Sequence, residues 1–257
     1  MVEDRKMDTR QLLAGTAIAT ALLMGGVLPA VASVISSVVN EGGGQVNIKI
    51  QDYENFTTST LQPGVTQNYG VFLVTSINAA GGTSLWSSGT DGQFLVGVFN
   101  GITVESTNAV APGTVITQNA GGTFDLYQVT SLPNFTFTSP LTNGYTTAGC
   151  AVGSLCYQGI TTAGSPVLTL DLVPGADVAD TSSTLQAIVT GTTVPVTGSA
   201  SGFGDITGGS DAPQFVAGGF PTAAAQPADV EFADRFCIPP WRPQAFWSTW
   251  PDRFPAL

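Results

Sequence analysis

From about residue 45 onward the apolar residues of this chain recur at every second position, in short segments closed by glycine- or proline-bearing turns. Such a pattern suits β-strands with one dry and one wet face and leaves little room for helices. Leu168, Leu170 and Leu172 stand against Thr169 and Asp171; Val46, Ile48 and Ile50 stand against Asn47 and Lys49. Further strands are predicted over 69–77, 94–99, 114–118, 123–129, 134–138, 167–173, 184–189, 194–199 and 230–236. Between them lie Pro63-Gly64, Gly81-Gly82, Asp91-Gly92, Asn100-Gly101, Pro112-Gly113, Gly121-Gly122, Asn143-Gly144 and Pro174-Gly175, each a turn signal. Residues 199–210 read as strand, glycine turn and further strand, with Gly208-Gly209 supplying a reversal. No stretch after residue 40 holds a helical period, and only Ala223 to Ala225 could close a short turn. The expected fold is all-β, a single β-sandwich or jelly-roll-like domain over residues 45–237. No strict internal repeat argues for a solenoid or propeller.

The N-terminus follows a different rule. Arg5, Lys6 and Arg10 precede a stretch from Gln11 to Asn40 that carries no charge, with Leu12, Leu13, Ile18, Leu22, Leu23, Val27 and Leu28 in it. Ala30-Val31-Ala32 ahead of Ser33 has the small-x-small spacing that a signal peptidase accepts, so residues 1–32 are expected to be an apolar helical signal peptide. A retained membrane helix is the competing reading, since the run is long enough to span a bilayer. Gly25-Gly26 and Pro29 inside it favour removal, and no mature transmembrane helix is expected. Residues 33–44 would then be a linker or an assembly strand, and 238–257 a Pro/Trp-rich tail, with Pro239-Pro240-Trp241-Arg242-Pro243 and Phe246-Trp247 to Trp250-Pro251, that joins a regular sheet with difficulty.

Charge narrows the partners. Seven basic residues oppose eighteen acidic ones, and none of the basic ones lies between Ile50 and Asp234. Nucleic acid is disfavoured, because phosphate neutralisation needs clustered cations. Histidine is absent, so Ser-His-Asp and Cys-His catalysis and the usual histidine zinc sites are excluded. Lys49 falls on an alternating strand, as a solvent-facing residue would. Cys150 and Cys156, with five residues between them in a glycine-rich loop, are expected to form a small disulfide ring that braces a surface loop; Cys237 is left over. A disulfide agrees with export and a secreted, extracellular or cell-surface location.

Carboxylates are the remaining chemistry. Asp52 with Glu54 and Asp229 with Glu231 sit two apart and would share a strand face, more as solvated pairs than as a glycosidase dyad. Asp205 with Asp211, and Asp177 with Asp180, flank flexible turns where a calcium ion could find several oxygens, although no EF-hand spacing is present. No other cofactor is indicated. Trp86, Tyr53 and Tyr145 are the aromatics considered for stacking on a sugar ring.

Three groups of residues carry a resemblance. Asn68-Tyr69-Gly70-Val71-Phe72 to Ser76-Ile77, then Leu85-Trp86-Ser87 with Asp91-Gly92-Gln93-Phe94, and finally Gly202-Phe203-Gly204-Asp205 to Gly208-Gly209 followed by Phe215, Asp229, Phe232 and Phe236, resemble the β ectodomains of secreted bacterial PEP-CTERM-type proteins. That resemblance implies export, association with exopolysaccharide matrix and flocculation, and a structural or adhesive role without catalysis. The chain departs from the family in lacking the Pro-Glu-Pro motif, the C-terminal apolar helix and the arginine cluster, ending in Trp250-Pro251-Asp252-Arg253-Phe254-Pro255-Ala256-Leu257. Release or self-assembly is therefore expected instead of sorting by an exosortase.

The leading functional expectation is a structural protein of a bacterial surface or matrix, a homopolymer that grows by adding residues 33–50 to the sheet edge of the next copy. A carbohydrate-binding module with exopolysaccharide as partner is the alternative. An enzyme using paired carboxylates is the least supported.

Overall fold

The computed structural model describes residues 33–35, 46–54, 63, 67–132, 160, 164–191, 196–215, 219–238 and 246–249. The chain divides into two compact units, Met1–Ala32 and Ser33–Leu257, and all described residues belong to the second. No helix among the described residues is long and apolar enough to cross a membrane.

The all-β expectation is met. Strands β1 (Val46–Glu54), β2 (Gln67–Ala79), β3 (Ser84–Ser87), β4 (Phe94–Ala111), β5 (Thr114–Ala120), β6 (Thr123–Val129), β7 (Leu168–Val173), β8 (Leu185–Thr190), β9 (Val196–Gly208), β12 (Val230–Ile238) and β13 (Phe246–Thr249) share one antiparallel sheet. A separate two-stranded ribbon joins β10 (Phe220–Pro221) to β11 (Pro227–Ala228).

The register shows that β5 and β6 are successive stretches of one line. Ala111 lies opposite Thr114 and Thr103 opposite Ala120, after which Asn100 lies opposite Thr123 and Phe94 opposite Val129. β7 and β8 form a second interrupted line against β9, from Thr169 opposite Gly208 to Val173 opposite Phe203 and then from Leu185 opposite Gly202 to Thr190 opposite Thr197. Between these halves residues 174–184 leave the sheet and return. Ser183 Oγ donates to Leu185 O at 3.0 Å and Thr184 Oγ1 to Gly121 O at 2.8 Å, so the polar groups buried by this detour are paired.

The order is thus a meander, β13, β1, β2, β4, β5/β6, β7/β8, β9, β12, without the crossovers of a jelly roll. β12 runs beside β13, bringing the two ends of the sheet together. The two-layered core expected of a sandwich arises here from one sheet curling over itself.

Alternation decides what faces inward. Val46, Ile48, Ile50, Phe72, Val74, Leu95, Phe99, Leu126, Leu168, Leu170, Leu172, Val230 and Phe232 form one buried cluster inside the curl. Phe124, itself only partly buried, packs against this cluster, its ring centroid 5.4 Å from Phe99, 5.3 Å from Phe232 and 6.0 Å from Phe72. Each such side chain removed from water contributes about 1.5–3 kcal/mol. On the opposite face of β2, β4 and β6 a second cluster gathers Val71, Val96, Val98, Tyr127 and Val129, sealed by the fully buried Ile160. Burial on both faces explains why Leu95 to Phe99 is apolar without alternation.

Three expectations change. Asn100-Gly101 is not a reversal: β4 runs through it for 18 residues, with Gly101 at φ 79° opposite Gly121-Gly122, where the chain kinks. The Pro/Trp-rich tail does contribute a strand, since Phe246–Thr249 pairs with β1 from Asp52 to Lys49. The described parts of 33–50, residues 33–35 and 46–50, are not a spare strand. Val34 and Ile35 are 6% and 1% exposed within the chain's own core, and β1 pairs β2 on one side and β13 on the other. The strand expected at 134–138 lies outside the described residues.

Candidate functional site

The chemistry-bearing side chains gather on the outer face of β6, β7 and β9. Residues flanked by inward Phe124, Leu126, Leu170 and Leu172 must point outward, which places Thr123, Asp125, Thr169 and Asp171 there. The register sets Thr123 opposite Asp171 and Asp125 opposite Thr169. Each pair closes a cross-strand hydrogen bond: Thr123 Oγ1 donates to Asp171 Oδ1 at 2.8 Å, and Thr169 Oγ1 to Asp125 Oδ1 at 2.7 Å. Such pairs are the unit by which a sheet face is ordered.

The row continues on β9, where Asp205 lies opposite Asp171. Asp229, just ahead of β12, accepts the Ile206 N–H through Oδ2 at 2.9 Å and donates its own N–H to Gly204 O at 3.0 Å. One Asp205 oxygen, Oδ1, is enclosed without a hydrogen-bond partner among the described residues. Burial, and then the neighbouring Asp229 charge, push the Asp205 carboxyl above its ordinary value, while the Asp229 backbone N–H partly offsets the rise. Tyr127, on the same outer face, is also raised, by burial first and by Asp125 second.

A raised carboxyl has a definite linkage sign. The folded chain takes up the Asp205 proton at a higher pH than the unfolded chain does, so this stabilisation is complete below the unfolded value near pH ~4 and is lost as pH rises through the folded value. Asp205→Asn is expected to remove that dependence and to raise the melting temperature at neutral pH slightly. Equal melting curves for both proteins across pH 4 to 8 would contradict the assignment.

The residues singled out from sequence are dispersed. Asp205 faces Asp171 and Asp229, whereas Asp211 is buried and accepts the Ser33 hydroxyl through Oδ2, so the two do not act as a pair. Asp177 and Asp180 are occupied in the detour: Asp177 accepts from Gln118 Nε2 at 2.6 Å and Asp180 from Ser182 Oγ at 2.6 Å. No three Cys, Asp or Glu side chains converge on a metal position among the described residues. Trp86 is buried against the core, which leaves no open ring face for a sugar, and its Nε1 has no hydrogen-bond partner among the described residues. Tyr53 lies on β1 opposite Val71, with its side chain outside the described set; Tyr145, Cys150 and Cys156 are outside it altogether. Cys237 stands on β12 opposite Thr197.

Sequence reasoning missed the Asp171, Asp205 and Asp229 association and the Ser33 to Asp211 contact. The sequence singles out Asp205 and Asp229 with other partners, Asp211 and Glu231, and shows Asp171 only as a polar residue of an alternating strand; that the three meet comes from register. Compared with family models, curated proteins and solved structures, the chain shows no match.

Proposed function

We propose that this chain is an exported structural protein of a bacterial surface or matrix, working through the outer faces and edges of its β domain. The aromatic contacts inside the curl carry the reading. Barrel-like proteins that hold a ligand inside keep a cavity between their walls, whereas here Phe72, Phe99, Phe124 and Phe232 meet across the inside of the curl. Polar chemistry is left on the outside, as a fixed row of carboxylates and hydroxyls. The sequence resemblance to PEP-CTERM-type ectodomains supports the same class of role.

Self-association has a defined edge available. β2 pairs β4 only as far as Thr103, so among the described residues no strand covers the outer edge of Glu105 to Ala111, where Val110 is 56% exposed. Register shifts between Val104 and Ser106 and between Ala109 and Ala111 twist this edge, which restrains open-ended growth. Reversible association that rises with concentration is expected by light scattering and electron microscopy. Val110→Lys should weaken it about tenfold or more, in line with the use of lysine to blunt sheet edges. A wild-type protein that stays monomeric at millimolar concentration would overturn the assembly reading.

A further inference from the structure

We propose that the Ala32–Ser33 peptide bond is a processing site whose product is used structurally: hydrolysis there creates a Ser33 α-ammonium that docks on the buried Asp211 carboxylate and locks the start of the exported chain into the β domain. Cleavage is thereby more than removal of a targeting segment. It supplies a cation beside a buried carboxylate.

The geometry starts from Ser33. Its Oγ donates to Asp211 Oδ2, and a serine's own nitrogen lies only three bonds from that oxygen. An ammonium formed there falls within the ~4–6 Å over which an opposite charge stabilises a carboxylate. Asp211 is 6% exposed, whereas Lys49 and Arg235, the basic residues whose side chains are among the described ones, are both exposed. Its backbone is held as well, with its N–H on Val167 O at 2.9 Å and its carbonyl receiving Gln214 N–H at 2.9 Å.

The residues after Ser33 are seated as a plug. Val34 N–H donates to Gln128 Oε1 at 2.8 Å, and Gln128 in turn donates through Nε2 to Gln93 Oε1 at 2.8 Å. Val34 and Ile35 are buried in the main cluster. The compact unit begins at Ser33, directly after the Ala30-Val31-Ala32 motif. Sequence motif, unit boundary and buried carboxylate therefore coincide at one bond.

The chemistry balances with water alone. A hydrolase of the signal-peptidase class adds water across the amide, Ala32 leaves as a carboxylate and the Ser33 nitrogen is released as an amine. With an ordinary α-amino value of about 7.7–8.0 it is mainly protonated at neutral pH. In the uncut chain the same nitrogen is a neutral amide, so the ion pair exists only after processing. A buried, charge-assisted contact of this kind is stronger than a neutral one, and removing one partner leaves the other charge uncompensated.

The inference rests on export but not on assembly. To test it, the full chain is produced in an exporting host, and the purified protein is examined by intact mass and N-terminal peptide mass spectrometry. It is then acylated under native conditions and in denaturing urea. Lys49 is exposed and is the only lysine after residue 32, so it serves as the internal reference. The expected result is an N-terminus at Ser33 whose amine, relative to Lys49, reacts roughly tenfold or more slowly in the native protein than in urea. Asp211→Asn should lose that protection and Asp211→Glu should keep most of it. If Asp211→Asn does not fold, the wild-type ratio alone still decides. A mature chain starting elsewhere, equal native and denatured labelling, or protection retained in Asp211→Asn would each overturn the lock, whereas a monomeric but Ser33-protected protein would overturn only the assembly reading.

Discussion

Phe124→Ala is expected to destabilise the domain by about 3 kcal/mol, the lower end for a phenylalanine truncation because the ring is only half-buried. Its effect is large because one ring bridges three others, contacting Phe72 from β2, Phe99 from β4 and Phe232 from β12. Removing it opens a void where opposite walls of the curled sheet meet, and the remaining rings cannot close it without moving their strands. Double-mutant cycles with Phe99→Leu and Phe232→Leu should return coupling of about 0.5–1.5 kcal/mol each. Urea unfolding measures both quantities. A loss below ~1 kcal/mol, or additive double mutants, would show that the inside of the curl is not a single packed cluster.

Gly97→Ala is expected to cost about 1–3 kcal/mol by overpacking, although alanine is ordinarily a mild replacement. Gly97 lies opposite Phe72 across β2 and β4, and the Phe72 ring lies over the glycine so closely that a methyl group there would overlap it. Phe72 is 6% exposed and rests against Phe124, so the ring has no free direction in which to retreat. Shortening the partner makes the mechanism testable. In a Phe72→Leu background the same glycine substitution should lose at least half of its cost, as judged by the shift in unfolding midpoint. An unchanged cost in that background would place the strain elsewhere, on the backbone of β4.

How much of this was legible varies with the range of the interaction. Leu168 to Leu172 and Val46 to Ile50 present the faces that their alternation requires, and β6 covers Thr123 to Val129 as its pattern indicates. Asn100-Gly101 misled because glycine's positive φ is equally compatible with a reversal and with a kink inside a strand. The choice was made by the chain facing it: a Cβ on Gly121 would press on Gly101 O, so the two glycine sites accommodate each other across β4 and the β5/β6 line. Phe246–Thr249 was hidden for a related reason. Between Pro243 and Pro251 it has too few residues to announce itself, and it becomes a strand because β1 offers it an open edge.

The carboxylates show the same division. Their number, and the lack of basic residues around them, are matters of composition and set the sign of the surface. Which of them meet is a matter of register. Asp205 and Asp211 are six positions apart yet have different partners, while Asp205 and Asp171 face each other from strands 34 positions apart.

By itself, then, the order of residues determined that this chain makes strands, which face of each is dry, and that an uncharged, apolar-rich stretch precedes Ser33, because period-two alternation and charge distribution are local properties of the backbone and its solvent. Only the tertiary structure decided that the strands form one curled meander, that Trp86 is a core residue, and that Ser33 meets Asp211. Those outcomes depend on which distant segments share a register, and the free energy that selects it comes from burying both walls of the core at once.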